Sequence, residues 1–376
     1  MPKSTWGFGI LLGILFITLI SHAPQKFSFT SPPVLQESTH ALLDKRALPT
    51  PKVASMHAAT LSILSDRFLL AAYFAGSAEG ERDVQIYANL YDLNTQTWSP
   101  PFVLLSAKLL SQLAGVYVKA LGNPVLVKRG DCLYLFVVGV SLGGWATSRI
   151  YTLSIQTASL HTSVRPHLTF LSTLSLGPFL NISHLVRNTA LLTDDGGFVL
   201  PIYHELATKM PLLLKFDAHA HLQEVIKPNT LSAQLQPTLT PYQTCALMLF
   251  RSYRHTNLYA QTCQDPTHWN PPTLSNLRNY NDALALFNAN GTLYLIYNAP
   301  LPNSPRSRSA LRLARFAPTP KQPSYFNPLV ILDQSHTSEV SYPCVLVSGD
   351  KVHVLYTKER HAIMHLVFNS AYLKAL

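Results

Sequence analysis

One phrase returns along this chain: a polar turn, then an apolar and aromatic run that ends on a polar group. It reads "SDRFLLAAYFAG", "GDCLYLFVVGV", "DGGFVLPIYHE", "NGTLYLIYNAP" and "GDKVHVLYTKE". The turn residues Asp66, Asp131, Asp195, Asn290 and Asp350 fall about 60–65 residues apart, with one wider interval of about 95. Asp-Gly, Asn-Gly and Gly-Asp turns followed by β-branched and aromatic residues describe hairpins. The wide interval holds a sixth unit, "YQTCALMLFRSYRH" from Tyr242, which divides it nearly in half. Six hairpin units in succession predict radial repetition, an all-β six-bladed β-propeller. Helix-rich folds lack support, because no long 3.6-residue period follows the N-terminus.

An apolar content of 47% with 13% charged residues excludes a disordered chain. The net charge of +10 is scattered, with neither a basic stripe nor a nucleic-acid-binding module, so no nucleic-acid partner is expected. Attraction to an anionic substrate or to anionic lipid headgroups fits better. Near the start, "WGFGILLGILFITLIS" runs without a charge behind Lys3. Residues 1–23 therefore read as an N-terminal transmembrane anchor, with a removed signal sequence as the alternative. Ala23 offers a small residue for cleavage, but Pro24 would impede it. Residues 24–52, rich in Pro, Ser and Thr, read as a linker, and 53–376 as the propeller domain. Either way the domain is exported. Cys245 and Cys263 could face each other across a hairpin turning near Arg254-His255; a disulfide there and four free thiols both stay open. No His, Cys, Asp or Glu set has metal-ligand spacing, so neither metal nor cofactor is expected.

Carboxylates are scarce, 19 in 376 residues, yet Glu79, Glu81 and Asp83 crowd into "YFAGSAEGERDVQIY". Loops on one face of a propeller converge on its axis. These acids either line a site there or decorate a solvated turn, and pattern alone leaves both open.

Longer segments sharpen the reading. "HAATLSILSDRFLLAAYFAGSAEGERDVQIY", "GNPVL", "LQPTLTPYQTCALMLFRS", "NYNDALALFNANGTLYLIYN", "RSALRLA" and "SYPCVLVSGDKVHVLYTKERHAIMH" resemble, in order, the sialidase-like proteins of the BNR-repeat superfamily. The similarity runs from about His57 to His365, and "DLNTQTWSP" and "DPTHWNPP" look like remnants of its Asp-box. The resemblance implies a glycoside hydrolase that cleaves the ketoside of a 2-keto-3-deoxy sugar acid. It aligns Asp83 with the acid/base aspartate, Arg251 and Arg308 with two carboxylate-gripping arginines, and Tyr342 with the nucleophile. His57 stands where a first arginine belongs, and Gln236 where a glutamate assists the tyrosine. Glu205 or Glu339 is then the expected partner of Tyr342. Asp282 and Arg360 are further candidates for substrate binding.

The anchor and the basic charge favour a lipid-linked substrate. The chain resembles sialidase-like Kdo hydrolases, which remove the outer Kdo from Kdo2-lipid A and work with a second membrane protein subunit. That implies a single-pass protein of a bacterial inner membrane with its catalytic domain in the periplasm. An exo-α-sialidase is the alternative enzyme, and a non-catalytic propeller that binds anionic glycans is the alternative class.

Overall fold

The computed structural model describes residues 26–162, 166–177, 181–302 and 304–376. The anchor expected over residues 1–23 lies outside them. Among the described residues no helix is long and apolar enough to cross a membrane.

Six antiparallel sheets of four or five strands follow one another along the chain as the blades of a propeller. Their innermost hairpins are Ser55–Ile63 with Phe68–Gly76, Ala120–Arg129 with Cys132–Val140, and Gln234–Tyr242 with Cys245–Ser252 in blades one, two and four. Ala285–Ala289 with Thr292–Ala299 and Val340–Ser348 with Lys351–Lys358 serve blades five and six. In blade three the inner strand is split into His184–Val186 and Leu191–Leu192, both paired to Phe198–His204. Each recurring phrase of the sequence is the turn and second strand of one such hairpin. These second strands read as continuous apolar runs because they are buried nearly throughout, with neighbouring blades covering both faces.

The ring closes through its N-terminus. Leu43–Ala47 pairs antiparallel with Ala362–Asn369 and completes blade six, so the first described strand ties the last blade shut. This corrects the linker assignment of residues 24–52. Phe27, Leu35 and Leu48 are buried in the cores between blades. Backbone bonds run from Thr30 to Leu192 and from Gln36 to Gly349, and Asn290 holds both the N–H and the C=O of Leu35. A Pro-rich, weakly patterned segment can be ordered this way when its polar backbone finds partners on strand ends. It crosses the end of the axis that carries the inner hairpin turns, beside a cavity of about 300 Å³ lined largely by aliphatic side chains.

Two details settle points that the sequence left open. Cys245 and Cys263 form a disulfide between adjacent strands of blade four, with Cα atoms 5.6 Å apart, while Cys132 and Cys344 are free. The Asp-box remnants are outer hairpin turns, in which Asp92 and Asp265 accept the backbone N–H groups that follow them.

Beneath Tyr91 and Trp98 lies a buried histidine pair. Trp98 Nε1 can only donate, so His365 Nδ1 accepts its bond at 3.1 Å. His365 Nε2–H then donates to His353 Nδ1 at 3.0 Å. Burial lowers both rings, His353 to about 4. The unfolded chain takes up these protons near pH 6.5 and the native protein does not. The stability held by the neutral pair is therefore complete above about pH 6.5 and is lost as pH falls towards the His353 value of about 4. The urea midpoint should fall steadily across that window; a flat midpoint would contradict the neutral pair.

Candidate active site

A repeated backbone irregularity builds the site. The inner strands of blades one, two, four and six each carry a bulge at the same place. There Ala58-Ala59, Gly122-Asn123, Gln236-Pro237 and Tyr342-Pro343 stand opposite the single residues Tyr73, Val138, Phe250 and Tyr356. Such bulges re-aim side chains. Here they contribute Asn123, Gln236 and Tyr342 to the lining of one cavity of about 160 Å³. Ala58, Gln236 and Tyr342 have φ of 55°, 44° and 56°. A bulky aromatic residue in the left-handed region costs about 1–3 kcal/mol, which surrounding contacts must offset. At Gly122 a Cβ would come within 2.7 Å of the Trp145 ring, so only glycine lets that indole lie on the cavity wall.

The clamp on Tyr342 is Arg187. It is 1% exposed and donates to the carbonyls of Tyr342 at 2.6 Å, Pro343 at 3.1 Å and Ala59 at 3.3 Å. One guanidinium thereby joins the inner strands of blades six and one, from a position on blade three. Three guanidiniums surround the Tyr342 ring, those of Arg187, Arg308 and Arg251 at 5.2, 5.5 and 6.0 Å from its centroid. Arg251 Nη1 donates to the phenol oxygen at 3.0 Å, and its Nε to Asn281 at 2.7 Å. Burial pushes the phenol up, but Arg251 and Arg308 outweigh it and hold Tyr342 below its ordinary value.

Beside the cavity runs an ion-pair chain. Asp282 meets Arg308 Nε at 2.7 Å, Arg308 Nη1 meets Glu339 at 3.0 Å, Glu339 meets Arg360 Nε at 2.9 Å, and Arg360 Nη1 meets Glu79 at 2.8 Å. Burial works against the charge of Arg308, yet Tyr342, Asp282 and Glu339 more than offset it and raise its value. For Asp282 burial outweighs Arg308 and raises the carboxyl. The two directions pull apart, and the 2.7 Å contact with an arginine decides for an ion pair at neutral pH.

The structure thus brings Tyr342, Arg251, Gln236 and Glu205 into one lining. Arg308, Asp282, Glu339 and Arg360 stand beside it as the ion-pair chain. Three expectations are corrected. His57 is buried against the Tyr342 ring, with centroids 4.1 Å apart, and is absent from the lining. Burial first, then Arg360 and the other arginines, keep its ring neutral, so it cannot supply an arginine's charge. Glu339 has both oxygens on arginines and is not a base for Tyr342. Asp83 does not line the cavity: its carboxylate accepts the N–H and Oγ–H of Ser77, both at 2.8 Å, and these bonds hold it below its ordinary value. Asp83 closes the loop that presents Glu79, and Glu79 is the acid of that loop in the lining.

Sequence reading missed Arg187 and Tyr203. The signal for Arg187 was there, a lone cation within "SHLVRNTALL", which is costly to bury without acceptors. Tyr203 is the penultimate residue of blade three's second strand; its hydroxyl accepts from Gln236 Nε2 at 3.3 Å, and burial followed by Glu205 keeps it protonated.

A family model described as a BNR repeat-like domain matches residues 67–354. No curated protein matches the sequence. Among solved structures, Trypanosoma rangeli sialidase superposes with TM-score 0.64 at 11% identity, over 86% of this chain and 56% of its own. The chain thus spans little more than half of that enzyme. A Dyadobacter fermentans protein of unknown function gives TM-score 0.67 at 9% identity, covering 87% of this chain and 99% of its own. Penicillium chrysogenum α-L-arabinanase complexed with arabinobiose gives 0.57 at 13%, covering 92% and 98%. At such identities the likeness shows a shared fold.

Proposed function

This chain belongs to the BNR repeat-like domain family, and from that premise we propose that it is an exo-glycosidase acting on the ketoside of a 2-keto-3-deoxy sugar acid. The observation that carries the reading is Tyr342, a strained tyrosine whose phenol is acidified by two arginines at the wall of an axial cavity. An anionic sugar repels a carboxylate nucleophile, whereas a phenol among guanidiniums can approach it. Arg251 uses Nε and one Nη1–H on its neighbours and keeps its remaining donors for a carboxylate. Arg308, held rigid by Asp282 and Glu339, adds charge to that end of the site.

In the proposed first step the Tyr342 oxygen forms a bond to the anomeric carbon as the bond to the leaving oxygen breaks. Glu205 receives the phenol proton, and the leaving oxygen takes a proton from Glu79. Glu79 rests as the partner of Arg360, so that pair must open and Glu79 must draw a proton from water before it serves as the acid. Water then adds to the anomeric carbon, Tyr342 leaves, and Glu205 returns its proton to the phenol oxygen while Glu79 takes the one from water. Replacing Glu79 by Gln should cut turnover about 10²-fold on a poor leaving group and much less on an activated aryl ketoside. Asp83→Asn should leave both rates within about threefold, since Asp83 only closes the loop. A leaving-group-dependent loss in Asp83→Asn, with Glu79→Gln unchanged, would reverse the assignment.

The proposed natural substrate is Kdo2-lipid A, losing its outer Kdo at the outer face of an inner membrane. Supporting this are Arg251 in the cavity lining, the net charge of +10 and the apolar N-terminal run. A sialoside is the second substrate to try. Membranes holding the full chain should release free Kdo from Kdo2-lipid A, read as lipid mass. A 3-fluoro ketosyl fluoride should label the Tyr342 peptide, as 2,3-difluorosialic acid gives a covalent intermediate in T. rangeli sialidase. Gln236, standing without a carboxylate's basicity beside the site, favours one other reading, a non-catalytic binder of anionic glycans. Saturable binding of either ligand with neither release nor labelling would decide for it.

A further inference from the structure

We propose that the half of the cavity-bearing face formed by blades two to four docks on an anionic lipid bilayer. Strand direction defines that face. The inner hairpin turns all lie at one end of the axis, where residues 27–36 cross. The loops that join second to third strands, and one blade to the next, lie at the other end with Tyr342 and Arg251.

On blades two to four these loops expose large apolar side chains to water. Leu142 is 74% exposed, Tyr253 46% and Leu206 44%, and Val116, Tyr117 and Ile182 join them. The outer strands also expose an apolar residue here and there, as at Val103, Leu171 and Leu274, but these are dispersed around the rim. The clustered group is interspersed with cations of one sign: Lys108, Lys119, Arg149, Lys209, Lys227 and Arg254 belong to the same loops and strand ends. The acids among these connections within the described residues are Glu205, which lines the cavity, and Asp282, which is buried against Arg308. The opposite half of the face carries Glu79, Glu81, Asp83, Glu339 and Glu359 and is mixed in sign.

Apolar tips set among lysines and arginines suit an interface whose surface is negative and whose interior is hydrocarbon. Lys209 lies 4.7 Å from the centroid of the Tyr253 ring, so cation and aromatic ring meet the surface at one spot. A second copy of this chain would set one cationic half-face against another, which mass of like charge disfavours. The bilayer is therefore the occupant. Docking there holds the cavity mouth beside the headgroups, and the inference stands whether or not the cavity turns over a ketoside.

Hydrogen–deuterium exchange on the full chain tests it, with vesicles of phosphatidylcholine alone or mixed with phosphatidylglycerol. Attachment through the apolar N-terminal run would be common to both, so their difference reads the face. Exchange at residues 141–148, 205–209 and 253–256 should slow about threefold or more with phosphatidylglycerol, and the turns at 129–132 and 289–292 should not respond. Combined Leu142→Asp, Leu206→Asp and Tyr253→Asp should abolish the difference, while Val34→Asp on the far face should preserve it. Equal slowing with both vesicle types would overturn the proposal. Greater slowing at the far turns with phosphatidylglycerol than with phosphatidylcholine alone would do so too, as would slowing without vesicles as protein concentration rises.

Discussion

Tyr342→Phe should fold normally and lose at least about 10³-fold in kcat/KM on either ketoside, about 4 kcal/mol of transition-state stabilisation. The substitution removes one oxygen and leaves the ring, its contact with His57 and the carbonyl held by Arg187 in place. Arg251 Nη1 loses its acceptor at 3.0 Å and becomes free for a substrate carboxylate, so ligand binding should persist or tighten. A loss confined to turnover therefore separates a nucleophile from a binding group. A second readout needs no substrate: spectrophotometric titration should find a tyrosine ionising below its ordinary value of about 10, missing from the variant. Retained turnover in Tyr342→Phe, with that titration step unchanged, would end the nucleophile assignment.

Replacing Arg187 by Met should destabilise the protein by about 2–4 kcal/mol, seen as a lower urea midpoint at unchanged m-value. Burial lowers the value of this guanidinium, so its removal relieves some desolvation. Against that, the carbonyls of Ala59, Tyr342 and Pro343 lose their donor in a place that water does not reach. Tyr342 also loses the contact that fixes its left-handed backbone, so turnover should fall even where the protein remains folded. A midpoint equal to wild type would show that the clamp carries no net stability.

The covalent order of the chain announced the propeller. Each blade needs a turn followed by a strand covered on both faces, and that requirement writes Asp66, Asp131, Asp195, Asn290 and Asp350 before apolar runs. Arg251 was legible too, since a charge closing such a run is unusual, and Tyr342 was legible through the family resemblance of "VSYP". The N-terminal stretch was not, because Leu43–Ala47 becomes a strand only when Ala362–Asn369 offers it an edge. The same holds for the acids. Glu79 and Asp83 are four residues apart in one loop, and only the bonds from Ser77 turn Asp83 away and leave Glu79 at the cavity. Local propensity and burial are written into neighbouring residues, so sequence determined the blades. Which charges meet depends on partners from distant blades, such as Arg187 beneath Tyr342, and ring closure alone sets those distances.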